Sequence, residues 1–135
     1  MAERGEIRDR TIAKQVRDYR GLRWGNVTPT DIDGFVEFRG EMFLFFELKH
    51  GDNDMPCGQK IAFERLVDVV SVSKPAILIV GKHENEAQTD IKAHECEVVK
   101  YRSNNQWHYP TRKVTMKALA DRFISDHQKG TMVGK

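Results

Sequence analysis

At 135 residues, with 39% hydrophobic and 31% charged positions, the chain is sized for one domain with a real core and large polar faces. No apolar run approaches the roughly 20 residues of a membrane span, MAERGEIRDR lacks the apolar segment of a secretory signal, and two cysteines, Cys57 and Cys96, make no disulfide framework; a reducing, cytoplasmic compartment with no membrane partner is expected. The net charge of +2 hides three blocks, seven Lys/Arg against four Asp/Glu in residues 1–23, seven against fourteen in 24–99 and eight against two in 100–135, an acidic middle between basic flanks of the kind that can meet a nucleic-acid backbone or simply decorate a surface.

In chain order, residues 5–19 place Ile7, Ile12, Val16 and Tyr19 at helical spacing. Arg10, Lys14 and Arg17 line another side of that helix as a candidate nucleic-acid contact. Gly21 ends it, and Leu22 to Pro29 reads as a loop in which Trp24 either covers the core or, beside Arg23, stacks on a base. Thr30 to Gly51 reads as a β-hairpin. The stretch HGDNDMPCG that follows is a turn-rich loop with His50, Asp52 and Asp54 as polar candidates, and Cys57 has no metal-binding partner at a suitable spacing. Residues 58 to about 72 predict a helix with Ile61, Ala62, Leu66, Val69 and Val70 toward the core. PAILIV, 75–80, predicts a strand buried on both faces, 81–90 a loop or short helix, and EVVKY, 97–101, another strand before a turn at Ser103-Asn104-Asn105. Trp107, His108, Tyr109 and Arg112 form an aromatic-basic cluster that either contacts nucleic acid or closes the core. A last helix runs from Thr115 to about His127 with Met116, Leu119, Phe123 and Ile124 on one side, and 128–135 reads as a flexible tail.

The hairpin carries the chemistry. Arg39-Gly40-Glu41 supplies its turn, with Gly40 left-handed, and this loop length pairs Phe38 with Met42, Asp33 with Glu47 and Asp31 with Lys49. Alternation then divides the faces. Ile32, Val36, Phe38, Met42, Leu44, Phe46 and Leu48 take one, while Asp31, Asp33, Phe35, Glu37, Phe43, Phe45, Glu47 and Lys49 take the other. Two carboxylates and a lysine at one end of an apolar hairpin must meet solvent or something that offsets their charge. Closely spaced carboxylate oxygens suit Mg²⁺ or Mn²⁺, and the lysine can orient an attacking water or stabilise charge on a phosphate. The plain reading is a surface ion pair across the hairpin.

Pro29-x-Asp31-x-Asp33 followed by Glu47-Leu48-Lys49 resembles the PD-(D/E)XK nuclease signature. Downstream, Gln59 stands where several branches, RecB-type nucleases and virus-type replication-repair nuclease domains among them, have Gln-x-x-x-Tyr; here Phe63 replaces the tyrosine. The resemblance, concentrated in residues 29–63, implies catalytic roles for Asp33, Glu47, Lys49 and Gln59. It also implies metal ligation by Asp33 and Glu47 with the carbonyl of Leu48, Asp31 competing with Asp33, and a first-helix glutamate, Glu6 before Glu3, reaching the metal. The basic flanks, independently of the resemblance, put Arg10, Lys14, Arg17 and Arg112 on the nucleic-acid side. The element order gives an α/β sandwich with a central mixed sheet of about four strands and helices on both faces, in agreement with the restriction-endonuclease-like fold. The function expected is divalent-metal-dependent hydrolysis of DNA, of a structure-selective, repair or recombination type like the small nucleases of bacteriophages. A junction-resolving enzyme would be a homodimer. The alternatives are a non-catalytic DNA-binding or assembly module on the same fold, and a small-molecule metal hydrolase.

Overall fold

A computed structural model describes Asp18, residues 20–85 and residues 90–128. The chain divides into two compact units, Met1–Thr30 and Asp31–Lys135. The helix predicted over 5–19, with Glu3, Glu6, Arg10, Lys14 and Arg17, and the tail from residue 129 lie outside the described residues. In the first unit Asp18 accepts the guanidinium of Arg20 at 2.9 Å, and Trp24 and Val27 exchange backbone hydrogen bonds around Gly25. Trp24 is 66% exposed.

The second unit is α/β: a five-stranded mixed sheet with two helices. Strands β1 (Gly34–Phe38), β2 (Met42–His50), β3 (Ala76–His83), β4 (Glu97–Ser103) and β5 (Gln106–His108) lie side by side in chain order. Only β2 and β3 are parallel, joined through helix α1 (Cys57–Ser71); helix α2 (Met116–His127) closes the chain. β3 sits in the middle of the sheet and is covered on both faces, so Ala76 through Gly81 are all buried, as a continuous apolar run requires.

The hairpin has the register its sequence predicts, Phe38↔Met42 through Gly34↔Phe46. Its turn differs in one respect: Arg39 as well as Gly40 has positive φ, and Glu41 N–H closes the turn on Phe38 O at 2.8 Å. Two successive positive-φ residues match the twist of the paired strands. Alternation along β2 then feeds two cores. Met42 and Leu44, with Phe46 and Leu48 at the margin, pack with Ile77, Ile79 and Val98 beneath Met116, Leu119, Ala120 and Phe123 of α2. Phe45, with Phe43 at the margin, packs with Leu78 and Val80 beneath Phe63 and Val67 of α1. Each fully buried Leu or Phe contributes roughly 1.5–3 kcal/mol relative to exposure.

Three expectations need correction. The buried stripe of α1 is Phe63, Leu66, Val67 and Val70, at spacing i, i+3, i+4, i+7; Ile61, Ala62 and Val69 point to solvent. The loop assigned from Gly81 instead continues β3 to His83, because the parallel ladder with β2 runs on to His50↔His83. The fifth strand was not expected: Asn104 and Asn105 both take positive φ, tolerated by asparagine in tight hairpins, and return the chain as β5. The α2 boundary falls where the sequence puts it, with Thr115 accepting the N–H of Ala118 at 3.1 Å as an N-cap.

Candidate active site

The ladder between β1 and β2 ends at Gly34↔Phe46, and the next residue on each side is Asp33 and Glu47. These two meet as the register predicts. Asp33 N–H reaches Glu47 Oε1 at 3.4 Å, and Leu48 N–H donates to Asp33 Oδ2 at 2.8 Å. Because one residue's N–H and C=O share an edge of a strand, the Leu48 carbonyl lies on the Asp33 side of β2. Alternation turns Glu47 and Lys49 toward α1, and there the first turn of the helix supplies Gln59. Its Nε2 donates to Glu47 Oε2 at 2.8 Å, and its Oε1 accepts Lys49 Nζ at 2.9 Å. Lys49 Nζ stands 3.2 Å from the same Glu47 oxygen. Asp33, just before β1, Glu47 and Lys49 of β2, and Gln59 of α1 form one hydrogen-bonded cluster.

The cluster leaves oxygens open. Glu47 Oε2 holds two donors, whereas among the described residues Oε1 has only the long contact from Asp33 N–H. Asp33 Oδ2 is engaged by Leu48, whereas Oδ1 has no hydrogen-bond partner among the described residues. Glu47 is 2% exposed, so burial holds its carboxyl above the ordinary range, and the charge of Asp33 pushes the same way. The hydrogen bond and charge of Lys49 act in opposition. A divalent cation between the open oxygens would relieve both raising causes. No three His, Cys, Asp or Glu side chains among the described residues group into a ready-made cage. Two carboxylates and a carbonyl nevertheless fit Mg²⁺, which keeps several waters and uses few protein ligands.

Other predicted residues are placed elsewhere. Asp31 is exposed and precedes the ladder, so the expected Asp31–Lys49 pairing is replaced by the bonds of Lys49 to Glu47 and Gln59. Arg112 is exposed in the loop between β5 and α2, on the far side of the sheet from β1. The aromatic-basic cluster is split between faces. Trp107 packs on the α1 side and donates to Glu64 Oε2 at 2.5 Å, while His108 stacks on Tyr101 with ring centroids 4.9 Å apart. Trp107 closes the core. Asp54, in the loop from β2 to α1, accepts Lys100 Nζ at 3.3 Å.

Lys100 escaped sequence reading. It is 4% exposed and, with Glu47, is one of the two buried charged residues among those described. The pairings Glu47↔Val80 and Val80↔Lys100 set both in a single row across β2, β3 and β4, about 10 Å apart at two strand spacings. Compared with family models, curated proteins and solved structures, the chain matches none.

Proposed function

We propose that this chain is a divalent-metal-dependent nuclease that hydrolyses DNA phosphodiester bonds, built on a restriction-endonuclease-like version of its α/β fold and acting in the cytoplasm. One observation carries the reading. Glu47, Lys49 and Gln59, singled out with Asp33 by the Asp…Glu-x-Lys…Gln resemblance, interlock through contacts of 2.8 to 3.2 Å, and Asp33 joins them through its N–H to Glu47 at 3.4 Å, with an open oxygen on each carboxylate. An ordinary cross-strand ion pair needs neither the second carboxylate nor the glutamine from a different element. It also gives no reason to bury Glu47.

Asp33, Glu47 and the Leu48 carbonyl would hold Mg²⁺ or Mn²⁺, which as a Lewis acid offsets charge on the phosphate and lowers the pKa of water. Glu47 accepts Gln59 and Lys49 on one oxygen and keeps the other for the ion. Lys49, whose ammonium is held by Glu47 and Gln59, directs its remaining donor capacity to the water or to a phosphate oxygen. Gln59 keeps Lys49 from collapsing wholly onto the carboxylate. A structure-selective or repair-type substrate, and a homodimer if paired cuts are made in four-way junctions, belong to the same proposal.

The deciding experiment is strand cleavage on linear, flap and four-way DNA with Mg²⁺ or Mn²⁺ and with chelator. Metal-dependent cutting is the expected result. Binding without cutting identifies the non-catalytic module instead, and metal-dependent activity indifferent to competing DNA identifies a small-molecule hydrolase.

A further inference from the structure

A buried ammonium is an expensive way to fill space, because an apolar side chain of the same length avoids the cost of desolvation. Lys100 therefore requires a reason, and its partners supply one. Asp54 Oδ1 takes both Lys100 Nζ at 3.3 Å and the N–H of Met55 at 2.7 Å. Met55 is itself buried in the core beneath α1. Two residues after Asp54 comes Pro56, the residue before α1, and it makes no side-chain cap. The start of α1 thus lacks the usual device for fixing the first turn of a helix, and Gln59 is the third residue of that turn. The ammonium also stands 4.7 Å from the centre of the Trp107 ring, and Trp107 is tied back to α1 through Glu64.

We infer that Lys100 is a positioning residue for Gln59: its ammonium, held between Asp54 and Trp107, fixes the β2–α1 loop and so the register in which the uncapped α1 presents Gln59 to Glu47 and Lys49. This rests on the reading that those residues carry out cleavage. Lys100 touches neither substrate nor metal, and it acts on turnover through Gln59 alone.

The test is a double-mutant cycle with two readouts. Lys100→Met keeps length and removes charge, so the fold is retained, with a melting temperature at or above wild type. For DNA cleavage with Mg²⁺, kcat falls about tenfold, the lower end of what loss of a supporting residue costs, while KM stays within about twofold. Lys100→Arg restores most of the loss, and Asp54→Asn reproduces part of it. In a Gln59→Ala background Lys100→Met has no further effect on kcat, since residues acting as one unit are not additive. The second readout needs no catalysis: the side-chain amide resonance of Gln59, identified by its loss in Gln59→Ala, moves in Lys100→Met and stays in place in Lys100→Arg. An unchanged kcat, or the same fold-loss in both backgrounds, overturns the inference. If the wild-type chain cuts no DNA, the proposed function falls, and a Gln59 resonance unmoved by Lys100→Met would then overturn the positioning role separately.

Discussion

Leu48 donates its backbone N–H to Asp33 Oδ2 at 2.8 Å, so the middle residue of Glu47-Leu48-Lys49 anchors the aspartate that precedes β1. This bond lets charge and shape be separated. In Asp33→Asn the side-chain carbonyl can still accept from Leu48, whereas Asp33→Ala loses the bond, at a net cost of about 0.5–1.5 kcal/mol. Asparagine should therefore keep near wild-type stability yet lose Mn²⁺ affinity and cleavage, and alanine should lose all three. Calorimetric Mn²⁺ titration and thermal melts check this; an Asp33→Asn protein that binds Mn²⁺ like wild type would take Asp33 out of the site and bring Asp31 forward.

A second expectation concerns what the site rests on. Gly81 lies beside Leu48 in the parallel ladder, and a Cβ at this position would overlap Met116 Sδ. The start of α2 fits against the sheet because that side chain is missing. Gly81→Ala should destabilise by about 1–3 kcal/mol through overpacking, and Met116→Ala by about 2–5 kcal/mol through the cavity it leaves. Each change relieves the other, so the double variant should lose measurably less than the sum. Additive losses in denaturant melts would show that the contact is not what holds α2 in place.

The site was legible in the sequence because its parts are local in register. Once Arg39-Gly40-Glu41 is read as the turn, the pairing of Phe38 with Met42 sets Asp33 beside Glu47 with no further information. What could not be read depends on contacts distant in sequence. In EVVKYRS, simple alternation puts Val98 and Lys100 on one face. The ladder with β3 slips between Val80 and Gly81, so Val80 pairs with Lys100 and Gly81 with Val98. Val99 is thereby left over, and Val98 and Lys100 turn to opposite helices. Such a bulge inserts a residue without any composition signal. The face of α1 was misread for a related reason: its apolar residues leave more than one stripe possible, and only packing on Leu78 and Val80 selects Phe63, Leu66, Val67 and Val70.

Glu47 gives the site a pH dependence whose sign follows from its surroundings. Burial first, then the charge of Asp33, holds its carboxyl above the ordinary 4.5. The folded chain keeps the proton to higher pH than the unfolded chain. This contribution to stability is fully present below the ordinary value and is lost as pH rises through the raised one. A divalent ion binds the carboxylate form, so its uptake displaces the proton. Mn²⁺ affinity should climb by up to about tenfold per pH unit in the window just above the ordinary glutamate range and then level off. Glu47→Gln should abolish both the metal binding and this contribution to the pH dependence of melting. An affinity flat across that window would mean that Glu47 is already ionised there.

Lys49 separates the nuclease from a plain ion pair most sharply. The sequence alone suggested a near-surface bridge, of the kind that contributes about 0–1 kcal/mol. The Glu47 side chain is only 3% exposed and that of Lys49 17%, so Lys49→Met leaves a buried carboxylate with Gln59 as its remaining strong donor. A loss of about 1–3 kcal/mol near neutral pH is expected, shrinking as the pH falls and Glu47 takes up a proton. If the chain is the proposed nuclease, cleavage should be abolished while DNA affinity, which for such proteins rests largely on phosphate contacts, persists. Glu47→Ala should lose metal binding as well as cleavage. Melting, Mn²⁺ titration and strand cleavage on the two variants make the comparison. If Lys49→Met cut DNA at the wild-type rate while chelator still stopped the reaction, the lysine would have no part in the chemistry and its bonds to Glu47 and Gln59 would be structural only.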